Sequence, residues 1–144
     1  PTTLITSARN GKRNIMAAAW VCALDFDPPK VTVVIDKNTY TRELIEAEGT
    51  FAINLPCVAQ IETVKQVGSC SGRDMTTDKF AQFNIETFAA QQVSSPLVTG
   101  CVAWLECKII AEPHIQNSYD LFVAEVIAAH ADERVFSNGR WHFC

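Results

Sequence analysis

The chain has 144 residues, 48% of them apolar and 19% charged, with a formal net charge of −4. That is enough apolar material for one core, and residues 1–144 are expected to fold as a single domain. The twelve Lys and Arg residues are scattered along an acidic chain, which argues against a nucleic-acid partner, and the longest apolar run, Ile15 to Leu24, is about half of the roughly 20 residues that a membrane helix requires.

No basic-then-apolar leader opens the chain, so a cytoplasmic protein without a membrane anchor is expected. Pro1 in place of a methionine and the stop at Cys144 predict further residues at both ends. In chain order, Thr2 to Ser7 reads as a short strand, and Asn10-Gly11 as the turn of a hairpin into a second strand, Ile15 to Cys22. Asp25 to Pro29 is expected to be loop, because consecutive prolines remove ladder donors. Val31 to Ile35 forms the third strand, and Thr39 or Thr41 caps a helix through Glu48 that Gly49 stops. Phe51 to Leu55 is a fourth strand closed by Pro56, Val58 to Val67 has helical spacing, and Thr76 to Phe83 reads as another short helix.

Phe88 to Pro96 is expected to be irregular. Two long β segments follow, Gly100 to Ala111 and Tyr119 to Ala131, separated by a turn around Pro113 to Ser118. Alternation places Ala103, Leu105, Cys107 and Ile109 on one face of the first, and Phe122, Ala124, Val126 and Ala128 on one face of the second, as a barrel wall requires. About six strands without a βαβ rhythm predict a mostly β fold, an antiparallel barrel with two or three short peripheral α-helices.

The six cysteines contain no C-x-x-C pair and the three histidines no metal-ligand spacing, so no metal is expected. Cys101 and Cys107, six apart on one strand, stand about 20 Å apart, too far for a disulfide. Most thiols read as small reduced core residues. Cys70 differs by lying in the polar loop Gly68 to Arg73, where the arginine favours a thiolate. His114 and His130 read either as surface or wall residues or as a general base.

Lys37, Thr39 and Thr41, with Tyr40 between them, gather a cation and hydroxyls at a helix start. They form either a surface turn with a capping threonine or a phosphate site. Asn14, Met16, Ala18 and Trp20 leave one face of the predicted second strand, and small Ala17 and Ala19 allow a flat ligand to approach closely. Trp20 is then a pocket wall or an ordinary buried tryptophan. Ser71-Gly72-Arg73-Asp74 followed by Lys79 reads as a solvated turn or as part of the same site. Motifs for acyl transfer, zinc hydrolysis and nucleotide loops are missing from the sequence, whereas hydride transfer through a flavin asks little acid or base chemistry of the protein.

Taken in order, Asn14-Ile15-Met16 to Trp20, Asp27-Pro28-Pro29, Tyr40-Thr41, Gly49 to Pro56, Ser71-Gly72-Arg73-Asp74, Asp78-Lys79-Phe80, Ser95-Pro96-Leu97, Leu105-Glu106-Cys107 and Asp120 to Val126 resemble the flavin reductase-like family of FMN-binding split barrels, which includes flavoredoxins. The resemblance spans nearly the whole chain. It implies a Greek-key split β-barrel, a homodimer with one flavin per subunit near the interface, and FMN contacts from Asn14, Trp20, Thr41 and Lys79. Departures are Ala17 and Ala19 where relatives carry Thr and Ser, and Tyr119 where flavoredoxin-like relatives carry histidine. The resulting expectation is an oxidoreductase that binds FMN, or FAD, and takes a hydride from NAD(P)H. Its cofactor contacts are Asn14, Met16 to Trp20, Lys37, Thr39, Tyr40, Thr41, Ser71, Gly72, Arg73 and Lys79, and Lys79 is the candidate for a catalytic part. The alternatives are a flavoredoxin-type electron carrier reduced by a partner protein, and a non-redox small-ligand binding module.

Overall fold

The computed structural model describes residues 1–142; Cys144 lies outside the described residues. Strands β1 (Thr3–Arg9) and β2 (Lys12–Ala18) form the opening hairpin. Its turn residues Asn10 and Gly11 have φ of 50° and 78°, the mirror-image turn that matches strand twist. Then come β3 (Val21–Phe26), β4 (Pro29–Val34), α1 (Tyr40–Glu48), β5 (Thr50–Leu55), a 3-10 turn at Val58–Gln60 and α2 (Ile61–Gly68). The second half holds α3 (Lys79–Gln82), β6 (Thr87–Phe88), β7 (Leu97–Val98), β8 (Ala103–Ile110), α4 (Pro113–Tyr119), β9 (Leu121–Ala131) and a terminal hairpin of β10 (Phe136–Ser137) and β11 (Arg140–Trp141).

Seven strands form one antiparallel sheet in the order β2-β1-β5-β8-β9-β4-β3. Its two edge strands, β2 and β3, are joined through only Ala19 and Trp20. A link that short makes the sheet roll so that its two ends approach each other, while the backbone N–H of Val34 donates to Trp20 O at 3.0 Å and continues the β3–β4 ladder into the link. The result is a split β-barrel. Its interior is filled by Ile5, Val33, Phe51, Ile53, Cys107 and Phe122. A second apolar layer, Leu4, Ile15, Val67, Phe80 and Val98, packs on the outer face of β1 and β2 beneath α2 and α3. The opening hairpin is therefore covered on both faces.

Several elements differ from the sequence expectation. The second strand ends at Ala18, so Trp20 lies beyond it and is 74% exposed rather than buried. The expected loop from Asp25 to Pro29 shrinks to Asp27-Pro28, with Phe26 paired to Pro29; a proline is tolerated as the first residue of a strand. Pro113 to Ser118 is not a turn but lies in α4, with Pro113 as its first residue, because proline suits the first helical position. Four short α-helices thus stand among the described residues. The helix expected from Thr76 begins only at Lys79, where the Asp78 side chain accepts from Ala81 N at 2.9 Å. Helix α1 matches its expected cap and stop, with Thr39 accepting from Arg42 N and Gly49 at φ 80°.

The register of β8 and β9 shifts between Glu106 paired with Ala128 and Cys107 paired with Val126, leaving Ile127 unmatched. This bulge turns Ala128 off the Phe122, Ala124 and Val126 face onto that of Glu106, because directly paired residues share a face. It also brings His130 within reach of Glu106, their Nε2 and Oε2 lying 2.6 Å apart.

Candidate functional site

A cavity of about 240 Å³ opens where β2, the start of α1, the loop after α2 and the start of α3 converge. From β2 come Asn14 and Met16; α1 contributes Tyr40 and Thr41; the loop contributes Cys70, Ser71 and Gly72; α3 contributes Lys79. Four segments distant in sequence meet here because β2 is sandwiched between the barrel interior and the α2/α3 layer.

Asn14 is 3% exposed and Thr41 fully buried. Asn14 Nδ2 donates to Thr41 Oγ1 at 2.9 Å, and Asn14 Oδ1 is left without a partner. An orphaned buried acceptor costs about 1–3 kcal/mol unless something fills its place. Gly72 leaves room for this amide: a Cβ there would stand 2.3 Å from Asn14 Oδ1 and 3.3 Å from the Tyr40 ring.

Lys79 is 3% exposed. Its ammonium donates to Val67 O at 2.7 Å and Ile15 O at 3.0 Å, and it has no carboxylate partner among the described residues. Two of its three protons are used. Burial pushes its pKa below the ordinary lysine value, opposed by attraction to the nearby Cys70 sulfur. At the start of α1, Thr39 satisfies Arg42 N at 3.2 Å, while the N–H groups of Tyr40 and Thr41 have no intrahelical acceptor. A helix of nine residues presents a positive end there.

These features fit a phosphorylated planar cofactor such as FMN. The pocket offers an unmet acceptor and an unmet proton for a heterocycle edge, a helix start for a phosphate, and a glycine where the chain passes close. Most of the expected contacts come together: Asn14, Met16, Ala17, Thr39, Tyr40, Thr41, Ser71, Gly72 and Lys79 all line the cavity. Ala18, Ala19 and Trp20 line an adjoining hollow of about 230 Å³ that shares Met16 and Ala17. Lys37 does not line it; it is exposed, one turn before the helix begins. Arg73 faces a neighbouring cleft with Arg13 and Asp78, and its guanidinium is held by Glu43 on α1.

Sequence reasoning missed Asn38, Val67, Gly68 and Cys70 as lining residues. The signal for Cys70 was its place beside Ser71 and Gly72. Val67 and Gly68 carried none, since they enter through the end of α2.

Comparison with known proteins agrees with this reading. Residues 1–143 match the family model described as flavin reductase like domain. The FMN-binding domain of a flavin reductases-like enzyme from Shewanella baltica OS155 superposes with a TM-score of 0.95 and 52% identity, covering 99% of this chain and 74% of that one. Flavoredoxin of Desulfovibrio vulgaris (Miyazaki F) gives a TM-score of 0.85 and 29% identity, over 96% of this chain and 73% of its own. The uncharacterized protein YddH of Escherichia coli strain K12 is 47% identical over 146 residues, 99% of this chain and 76% of its own length. With the matched family model spanning nearly every residue, the chain belongs to the flavin reductase-like family.

Proposed function

We propose that the protein binds FMN in the cavity between β2, α1 and Lys79 and acts as an oxidoreductase in which NAD(P)H delivers a hydride to the flavin. The observation that carries this reading is the pairing, in one cavity, of the orphaned Asn14 Oδ1 with a buried lysine that has no counter-charge among the described residues. When bound, FMN supplies the ring that accepts the hydride, which is why the chain needs no catalytic acid–base pair. Asn14 and Lys79 hold and orient the polar edge of the cofactor, and the first N–H groups of α1 hold its phosphate. Thr41 orients Asn14 through their hydrogen bond. Met16 to Trp20 line the continuation of the hollow and give a flat ring room to lie.

Two further parts belong to the same proposal. The protein is a homodimer, supported by Trp20, Leu24 and Phe26, which are 74%, 53% and 98% exposed along the β3 edge of the sheet. A cytosolic setting is supported by the five described cysteines, all of them free thiols. Sedimentation at micromolar concentration checks the first; a monomer counts against it.

The deciding experiment is an absorbance titration with FMN followed by anaerobic addition of NADH or NADPH. A bound flavin band that bleaches rapidly supports the reductase, and absence of FMN binding removes it. The likeness to a flavoredoxin at 29% identity favours one second reading, an electron carrier reduced by a partner protein. A flavin that binds but stays oxidised with either nucleotide selects that reading.

A further inference from the structure

We infer that Cys70 is a site of reversible S-thiolation by low-molecular-weight disulfides, and that an adduct there excludes flavin from the cavity. The inference rests on the FMN-binding reading above and adds to it a means of control. Cys70 is exposed and lines the same cavity as Asn14 and Lys79. That cavity is built for a ligand, since Asn14 Oδ1, 97% buried, has no partner in the folded chain. The Cys70 thiol is tied only to Gln66 O, at 3.6 Å.

The other described thiols are placed differently. Cys101 and Cys107 are buried, and burial pushes both up to about 12, which leaves them inert as nucleophiles. Cys22 is exposed on the β3 edge and Cys57 leans on Gly100 O at 3.7 Å, and neither lines the cavity. Cys70 alone among the described thiols joins solvent access to a place on the cavity wall.

In the reaction, the Cys70 thiol loses its proton and its sulfur attacks one sulfur of glutathione disulfide. The Cys70–glutathione S–S bond forms as the original S–S bond breaks, and the departing glutathione thiolate takes up the proton. Cys70 is oxidised and one glutathione half is reduced, so no other oxidant is required. An adduct on Cys70 stands on the wall of the cavity of about 240 Å³ that the phosphate and polar edge of the flavin would enter, and competes with them for that space.

The test treats the purified wild-type protein with glutathione disulfide, locates adducts by peptide mass spectrometry, and titrates FMN before treatment, after it, and after dithiothreitol. Thiolation at Cys70 is expected to weaken FMN binding at least about tenfold, with recovery on reduction. Saturating FMN is expected to slow iodoacetamide labelling of Cys70 while leaving the rate at Cys22 unchanged. In Cys70→Ser, the FMN affinity, whatever its starting value, should be the same before and after treatment. Unaltered FMN affinity with Cys70 thiolated overturns the inference, as does labelling of Cys70 that bound FMN does not slow, or failure of Cys70 to react where Cys22 does. If the untreated protein binds no FMN, the parent reading falls and this inference with it; intact binding that ignores Cys70 removes the inference alone.

Discussion

Glu106 and Lys79 are both charged and both buried, yet their surroundings differ in kind. Glu106, fully buried on β8, accepts from the backbone N–H groups of Gln91, Gln92 and Val93 and pairs with His130 at 2.6 Å. Burial raises the Glu106 carboxyl, but the hydrogen bonds from Gln92, His130 and Gln91 outweigh it and hold the group below the ordinary glutamate range. Lys79 has two carbonyl partners, no carboxylate, and an orphaned amide oxygen in the same cavity. One charge is saturated by its own fold and pins the 91–93 segment to the sheet. The other keeps hydrogen-bonding capacity to spare beside the cavity, as the proposed FMN site requires.

The contrast breaks if mutations on the two sides behave alike. The largest expected effect is on stability: Glu106→Ala leaves three backbone donors and His130 unpaired and should cost about 3 kcal/mol in urea unfolding. The FMN affinity of the folded fraction should not change. Lys79→Met keeps the apolar stem and should reverse the pattern. Its stability should fall by less than that of Glu106→Ala, because the cost of burying an unpaired charge disappears with the charge and offsets part of the cost of leaving Val67 O and Ile15 O without their donor. Its FMN affinity should fall about 10- to 100-fold by fluorescence titration, the loss of one hydrogen bond from a charged donor. A stability loss in Lys79→Met as large as that in Glu106→Ala would make the lysine a structural group.

Smaller still is Thr41→Val, which removes the acceptor of Asn14 Nδ2 at constant shape. A loss of about 1 kcal/mol in FMN binding, roughly fivefold, is expected; an unchanged titration removes Thr41 from the site. The finest test is acid unfolding. Because the folded-state pKa of Glu106 is depressed, its contribution is present above the unfolded glutamate value, about 4.3, and is lost as pH falls through the folded value. Stability of Glu106→Gln should therefore depend less on pH across that window than wild type does. Parallel curves would show that Glu106 is not the group that titrates.

Much of the fold was legible in local pattern. The Asn10-Gly11 hairpin, the Thr39 and Gly49 caps of α1, and strand β5 appeared where turn chemistry and capping placed them. Errors fell where a residue admits two local readings. Pro113 serves equally as turn punctuation and as the first residue of a helix, and only the packing of α4 beside β9 decided. The bulge at Ile127 has no local signature, yet it moves Ala128 to the other face and brings His130 to Glu106. That Asn14, Tyr40, Thr41, Gly72 and Lys79 line one cavity was legible because the order of their motifs resembles a known family. Lys37 does not line the cavity, because closeness in sequence to a helix start does not give the direction of a side chain.

The sequence by itself determined the family, the β-rich architecture and most of the segments that line the cavity, since hydrophobic alternation, capping residues and motif order are properties of neighbours along the chain. Only the tertiary structure decided which buried polar groups are satisfied and which are not. Asn14 and Lys79 are ordinary polar residues until rolling of the sheet and docking of α2 and α3 remove their water. Whether a partner then replaces that water depends on atoms brought from tens of residues away: Lys79 finds Ile15 O, Asn14 finds Thr41 Oγ1, and Asn14 Oδ1 finds none.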